Sequence, residues 1–397
     1  MTHRTAIEIV TFTTLYPNSA QPNHGVFIEN RLRHLVGSRQ VNSRVVAPVP
    51  WFPFSSIISR RYARHRSVTR EELRAAIHVL HPRYLVLPKI GMSLAPRSLF
   101  RASLPILESL RKARDFDLID AHYFYPDGVA AVRLGRALGK PVVITARGTD
   151  INLIPRFPGP RRMILEAAGA AAGIVAVSHA LKTALVGLGV PEDRVTVLRN
   201  GVDLELFKPR PRSAAGRTRI LLSVGHLIER KGHELVIGAL PYLPEFSLLI
   251  VGEGPEHSRL RRLAADLKLL DRVCFLGEVP HRELPELYAS ADALILASSR
   301  EGWPNVLLEA MACGTPVVAS DIWGNPEVVA QAEAGVLMKS HTAESVAEAV
   351  QRLFRNLPDR AATRRYAENF GWNQTSEGQI ALFRRILSHP SAQAGAN

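Results

Sequence analysis

The chain reads as an α/β protein with two parallel-sheet domains, and three observations predict this. Short apolar runs alternate with amphipathic stretches along the whole length. The alternation falls into two consecutive sets, separated by a stretch at 207–216 rich in Pro and small residues. The length, 397 residues, suits two ordinary domains better than one.

The strands expected in the first set are 7–14, 42–48, 118–122, 142–145, 173–177 and 195–199. The second set restarts at 219–224 and continues with 247–251, 273–276, 293–296, 317–319 and a short run at 334–337. Amphipathic segments such as 258–269 and 284–291 lie between them and read as helices. Strands alternating with helices imply parallel sheets, whose ligands bind beyond the carboxyl ends of the strands. The expected domains are 1–206 and 207–370, with 371–397 forming a terminal helix that packs back on the first domain. A binding cleft is expected where the two domains meet.

Composition narrows the class. Apolar residues make up 46% and charged residues 22%, which suits a globular chain with ample core and excludes a disordered one. No uninterrupted apolar run is long enough to cross a bilayer, and no apolar stretch follows a basic start, so neither a span nor a cleaved signal is expected. Cys274 and Cys313 sit in apolar settings and are expected to be buried free thiols in a reducing cytoplasm.

The formal net charge is +14, and it is uneven. Residues 1–202 hold 28 Lys and Arg against 13 Asp and Glu, so the positive excess belongs to the first domain. That points to an anionic partner there: nucleic acid, anionic lipid or a phosphorylated acceptor. Residues 48–66 combine Trp51, Phe52 and Phe54 with Arg60, Arg61, Arg64 and Arg66, a mixture that suits an anionic membrane surface. A solvated loop with tucked aromatics is the plainer alternative. Beyond clustered charge there is no nucleic-acid-binding motif, so no nucleic-acid partner is expected.

The chemistry-bearing stretch is Glu301-Gly302-Trp303-Pro304-Asn305-Val306-Leu307-Leu308-Glu309. A helix starting near Pro304 would aim backbone N–H groups at an anion, with Glu301 on the loop before it and Glu309 two turns along. Taken alone, this is more simply an ordinary helix with one Glu before it and another on its wet face. Upstream, Val224-Gly225-His226 followed by Arg230-Lys231-Gly232 reads as strand, turn and basic loop, where Lys231 offers a point charge to a diphosphate. Val251-Gly252-Glu253-Gly254 and Leu276-Gly277-Glu278-Val279 repeat a strand ending in a Gly turn, against which a nucleobase could pack. Each piece in isolation is more simply a tight connection or a solvated charge pair.

In order and spacing, these blocks and the following Ala310-Met311-Ala312-Cys313-Gly314-Thr315-Pro316-Val317 resemble the donor-binding half of glycosyltransferase family 4. The resemblance covers nearly the whole chain and extends to bacterial cell-surface polysaccharide enzymes of teichuronic-acid type. It implies the GT-B fold, with two Rossmann-like domains. It also implies a nucleotide-diphosphate sugar as substrate, transfer with retention, and neither cofactor nor metal. Glu301 then corresponds to the carboxylate facing the developing oxocarbenium, Glu309 to the ribose ligand and Lys231 to the diphosphate lysine. Backbone at Gly302, Trp303, Pro304, Asn305 and Val306 would hold sugar hydroxyls and the distal phosphate, with Gly225, Gly252, Glu253 and Val279 completing the donor site. The family's Arg after the first Gly is His226 here, a weaker clamp that Arg230 could offset.

In the first domain, Gly25 precedes a helix start and matches a family Gly loop near the donor phosphates or the acceptor. His122 ends a strand and matches the family's histidine near the donor sugar, although a lone His there is usually structural. Arg147 and Asp150 follow the next strand and resemble the acceptor-side loop, with an internal salt bridge as the alternative. Asn200 belongs to the segment entering the hinge. Asp115-Phe116-Asp117 has the form of a metal motif but precedes its strand, at the end away from the ligand, so no metal is expected there.

The resulting expectation is a retaining hexosyltransferase acting on a glycan or lipid-diphosphate-linked acceptor in cell-surface polysaccharide synthesis. Its expected place is the cytoplasm, peripheral on the inner face of the plasma membrane. No second carboxylate is evident on the opposite face, as a covalent route would need, and the resemblance implies a front-side displacement instead. A sugar-nucleotide epimerase of the same fold, or a non-catalytic anion- or membrane-binding protein with an inactive donor site, remain as alternatives.

Overall fold

Parallel strands covered on both faces read as continuous apolar runs, and both sheets are built of such runs. The computed structural model describes residues 6–52, 64–86, 91–211 and 218–388. The chain divides into two compact units, Met1–Arg199 with Asn373–Asn397, and Asn200–Trp372. The division falls between Arg199 and Asn200 rather than at 206/207.

The first unit holds an eight-stranded sheet. Its strands are β1 (Ile7–Phe12), β2 (Val41–Val46), β4 (Glu71–Arg74), β5 (Ile77–Leu80), β7 (Leu118–His122), β8 (Val142–Ala146), β9 (Gly173–Ala176) and β10 (Val195–Val197), in the order β10-β9-β8-β7-β1-β2-β5-β4. All neighbours are parallel except β4 and β5. β3 (Val49–Trp51) and β6 (Arg83–Leu85) pair separately. The order reverses at β1, which lies between β2 and β7, so the carboxyl ends of β1 and β7 form the ligand position for this topology. Gly25, His122 and Arg147 all sit at that end, on the loop after β1, at the last residue of β7 and just beyond β8.

The terminal helix Trp372–Ser388 contributes Ile380, Leu382 and Phe383 to the core of the first unit, beside Ile9, Leu32 and Val41. Burying side chains of this size stabilises by about 1.5–3 kcal/mol each. Close packing fixes the contact: a Cβ on Gly378 would stand 2.5 Å from Cδ2 of Leu198.

The second unit holds β11 (Arg219–Val224), β12 (Phe246–Val251), β13 (Val273–Gly277), β14 (Ala293–Leu296), β15 (Val317–Ser320) and β16 (Gly335–Met338), all parallel, in the order β13-β12-β11-β14-β15-β16. The reversal is at β11, flanked by β12 and β14. Lys231 follows β11 and Glu301 follows β14, so the switch point brings the two loops together.

Three expectations need correction or limits. β3 to β6 were not anticipated: β4 is Glu-Glu-Leu-Arg with alternate residues exposed, and such a short polar edge strand carries little apolar signal. Cys274 is exposed, because β13 is the edge of its sheet and alternate side chains there point to solvent, whereas Cys313 is buried. The aromatic and basic segment 48–66 lies largely outside the described residues, since 53–63 are not described. Among the described residues, no helix is long and apolar enough to cross a membrane.

Candidate functional site

The strand-end turns of the second unit are packed backbone on backbone. Gly252 has φ +139°, and a Cβ there would stand 2.0 Å from the carbonyl oxygen of Gly225. Gly232 has φ +67°, and its Cβ would meet the carbonyl oxygen of Ala297 at 1.9 Å. Only glycine allows these approaches. Gly232 thereby pins the Lys231 loop to the segment that leads into Glu301.

Lys231 Nζ lies 2.7 Å from Oε1 of Glu301, and Arg230 Nη1 lies 3.8 Å from Oε2 while donating to the carbonyl of Arg300 at 2.8 Å. Glu301 is buried. Burial alone would raise its pKa, but the charges of Lys231 and then Arg230 outweigh it and hold the carboxyl below its ordinary value. The result is an ionised carboxylate beside two cations, on a loop that enters the helix Asn305–Ala312. Pro304 caps this helix and Asn305 is its first residue. Gly302, Trp303 and Pro304 are buried, while Asn305 and Val306 are half-buried.

Glu309 does not occupy a wet face. It is buried, with Oε2 accepting from the Tyr288 hydroxyl at 2.8 Å and Oε1 lying 3.0 Å from Nε2 of His281. Burial and then the Glu309 charge push the Tyr288 pKa well above its ordinary value, so the phenol stays a donor. Phe207 packs its edge against both rings, with centroids 5.2 Å from His281 and 5.9 Å from Tyr288. Tyr288 and His281 carried no sequence signal beyond their residue types.

His226 is exposed, and its Nδ1 lies 2.9 Å from the carbonyl of Glu253, which also accepts from the Leu227 N–H. A carbonyl only accepts, so Nδ1 carries the proton, and Nε2 of the neutral ring can accept but not donate. Arg230, not His226, stands beside Lys231 at Glu301. Gly252 donates to the carbonyl of Gly277, and Val279 lies in the loop after β13. Asn200, expected with the acceptor residues, belongs to the second unit, where its Nδ2 donates to Oδ1 of Asn305 at 3.2 Å.

In the first unit, Gly25 has φ +74° and caps the helix Val26–Gly37, and a Cβ there would stand 2.3 Å from the Leu15 carbonyl oxygen. His122 is buried, with Nε2 3.3 Å from Oδ2 of Asp120 and Nδ1 2.6 Å from Nη2 of Arg147. Burial, and then Arg147 against the opposing pull of Asp120, lower the His122 pKa to about 4, so the ring is neutral at physiological pH. The Arg147 guanidinium also lies over the Phe27 ring at 5.6 Å.

Asp150 accepts from the backbone N–H groups of Phe124, Arg147 and Gly148 at 2.7–3.2 Å. Burial raises its pKa against those bonds, and its part is to shape the loop. Tyr123, directly after His122, has φ +88°, a conformation costing about 1–3 kcal/mol for a non-glycine residue. It is held by the bond from its own N–H to Thr145 O and by the one from Phe124 N–H to Asp150.

Asp127 was not anticipated. It accepts from Thr14 N–H at 2.6 Å and from the hydroxyls of Thr13 and Thr14, and Thr13 also donates to the His122 carbonyl. Asp115 and Asp117 serve the fold: Asp115 pairs with Lys140 at 2.8 Å, and Asp117 accepts from the Glu8 N–H at 2.8 Å.

Two family profiles match the chain and adjoin at 206/207, the boundary expected from the sequence. The profile of "Glycosyl transferases group 1" matches residues 207–370, and that of "Glycosyltransferase Family 4" matches residues 55–206. The putative teichuronic acid biosynthesis glycosyltransferase TuaC of Bacillus subtilis is 29% identical over 360 residues, covering 87% of this chain and 89% of that protein. D-inositol 3-phosphate glycosyltransferase of Mycobacterium tuberculosis is 32% identical over 225 residues, spanning 52% of this chain and 46% of that one. Among solved structures, sucrose-phosphate synthase from Thermosynechococcus elongatus has a TM-score of 0.76 at 18% identity, covering 96% of this chain and 99% of its own. The Anabaena protein HepE in complex with UDP-glucose has a TM-score of 0.68 at 18% identity, covering 97% and 99%. At such identities the structures speak to the fold alone. Taken with the two profiles, they establish that the chain belongs to the family 4 glycosyltransferases of GT-B fold.

Proposed function

We propose that this chain moves a sugar from a nucleotide-diphosphate sugar to a hydroxyl of a glycan or lipid-linked acceptor, with retention and without a metal, in cell-surface polysaccharide synthesis. The observation that carries this reading is the cluster of Glu301, Lys231 and Arg230 at the switch point of the second sheet. Lys231 and Arg230 neutralise charge that grows on the departing diphosphate, and Glu301 meets the positive charge that develops on the sugar. Glu309, held by Tyr288, takes the ribose hydroxyls, since each carboxylate oxygen keeps a second acceptor position. His122, paired with Arg147, is the first unit's contribution to the reaction. The names of TuaC, a teichuronic acid enzyme, and of HepE, bound to UDP-glucose, support the acceptor and donor classes.

The reading includes an anionic membrane surface, reached from the cytoplasmic side. Trp51 and Leu85 are register partners on β3 and β6, and both are exposed. Met92 and Leu94, at the start of the helix Gly91–Ala113 that lies against β6, are exposed too, as is Phe157 before the helix Pro158–Ala170. Arg156 precedes Phe157, and Arg161 and Arg162 follow it on the next helix, all exposed, so apolar side chains and cations share one region, as lipid headgroups require.

Purified protein incubated with a panel of nucleotide sugars tests the transfer. Nucleoside diphosphate released only when acceptor is present supports a transferase, whereas an epimerised sugar nucleotide with no release supports the epimerase reading. Vesicle sedimentation tests the surface: binding that needs anionic lipid and weakens with salt is expected. Equal binding to zwitterionic vesicles, or none, removes the membrane from the account.

A further inference from the structure

Asp120 is fully buried in β7, and its Oδ2 is approached by a neighbour on its own strand and by a residue of the terminal helix. Gln379 Nε2, on the terminal helix, donates to it at 2.7 Å, and His122 Nε2 lies 3.3 Å away. The other end of the Gln379 amide is also held, because Oε1 accepts from Nε of Arg31 at 2.8 Å. A guanidinium only donates and a carboxylate only accepts, so the amide has one orientation that satisfies both. The same reasoning fixes His122. Arg147 Nη2 donates to Nδ1, so Nδ1 holds the lone pair and the ring proton sits on Nε2, facing Asp120.

We propose that Gln379 is a positioning residue which, through Asp120, holds His122 in one ring orientation and as the Nε2–H tautomer. The proposal rests on the reading of His122 as a residue that takes part in the transfer. It assigns the terminal helix a part in the chemistry as well as in the core. An amide suits the position better than its neighbours in shape. Glutamate would accept from Arg31 but would set a second carboxylate against Asp120, and methionine would fill the volume while leaving both partners without their bond.

The charged groups around His122 come from four elements. Asp120 shares its strand, Arg147 and Asp150 follow β8, Arg31 projects from the helix Val26–Gly37, and Asp127 lies beneath the loop that Thr13 ties to the His122 carbonyl. Against this background the neutral ring is the stable form, and Gln379 decides which donors compete with it for Asp120 Oδ2.

The test uses the full chain with labelled histidine and reads the imidazole nitrogens directly by NMR in wild type, Gln379→Met and Gln379→Glu. In the wild type, His122 should keep the Nε2–H pattern between about pH 5 and about pH 8. In Gln379→Met, the ring should populate both tautomers or begin to titrate in that range. Its kcat should fall about tenfold while the donor KM changes less than about twofold. In Gln379→Glu, which keeps the shape and the Arg31 bond, the added carboxylate should raise the ring's proton affinity, and the acid limb of the pH–rate profile should move up. Wild-type His122 signals in either folded variant overturn the proposal. Full turnover in His122→Ala would instead overturn the catalytic reading on which it rests, and the NMR result would show which of the two had failed.

Discussion

Lys231 Nζ stands 2.7 Å from Oε1 of Glu301, so the cation proposed for the diphosphate and the carboxylate proposed for the sugar neutralise one another. This pairing lowers the cost of burying either charge, since a buried ion without a partner is strongly disfavoured. It also means that removing one member changes the other's charge balance, and the two substitutions should therefore differ in kind.

Glu301→Gln should lower kcat by about 100-fold or more, the usual scale for losing a group that acts only in the transition state. It should leave nucleoside-diphosphate affinity equal or tighter, because Lys231 is released from its carboxylate. Lys231→Met should weaken diphosphate binding and turnover together. Calorimetry with the nucleoside diphosphate, alongside steady-state kinetics, separates the two patterns.

Tyr288→Phe removes one donor from a buried carboxylate without changing the shape of the ring. A hydrogen bond to a charged group contributes about 1.5–3 kcal/mol, so the loss should appear as a rise of about tenfold or more in donor KM. Turnover at saturation should change little, because Glu309 is assigned to the ribose and not to the reacting carbon. A fall in kcat with unchanged KM would place Glu309 elsewhere in the chemistry.

Gly232→Ala should be severely destabilising. Its φ of +67° disfavours any side chain, and a Cβ would overlap the Ala297 carbonyl at 1.9 Å, a backbone atom that has no rotamer by which to move away. A loss of about 3 kcal/mol or more is expected by denaturant unfolding, together with disrupted diphosphate binding because Lys231 is the preceding residue.

Titration of buried groups gives stability two opposing trends. His122 and His233 are both buried and lowered to about 4, so each is neutral when folded. Their contribution is complete above the unfolded value of about 6.5 and is lost as pH falls from there to about 4. Asp127 is raised to about 7, by burial first, so its contribution is complete below the unfolded value of about 3.9 and is lost as pH rises through about 7. Asp127→Asn, compared with wild type by denaturant midpoints, should gain relative stability as pH rises from about 4 to about 7, and stay level above that. A pH-independent difference would remove Asp127 from the account.

Much of the second unit was legible because glycine and proline mark its turns. Gly225, Gly232 and Gly252 stand where the backbone needs positive φ, and Pro304 marks the start of the helix after Glu301. The pairing of Lys231 with Glu301 spans 70 residues; the resemblance put both in the donor site, and the shared switch point is why their loops meet. Asp120 and His122 are two apart on a strand and share a face, a signal that was available but not used. Gln379 and Asp120 are 259 residues apart, and no local pattern can pair them. Glu309 and Tyr288 meet through helix packing, so the wet face of the plainer alternative is a buried one. Cys274 was misjudged because its apolar neighbours belong to an edge strand, and edge position is a property of the sheet.

Acceptor-dependent release of nucleoside diphosphate reports transfer from a nucleotide sugar by the Glu301–Lys231 cluster. Wild type and Glu301→Gln would be compared on the same donor, with cell-surface glycan or lipid-linked acceptors, and the anomeric configuration of the product read by NMR. Release should require acceptor, the product should keep the donor's configuration, and the rate in Glu301→Gln should be lower by about 100-fold. Inverted product, or equal rates in wild type and Glu301→Gln, would contradict it.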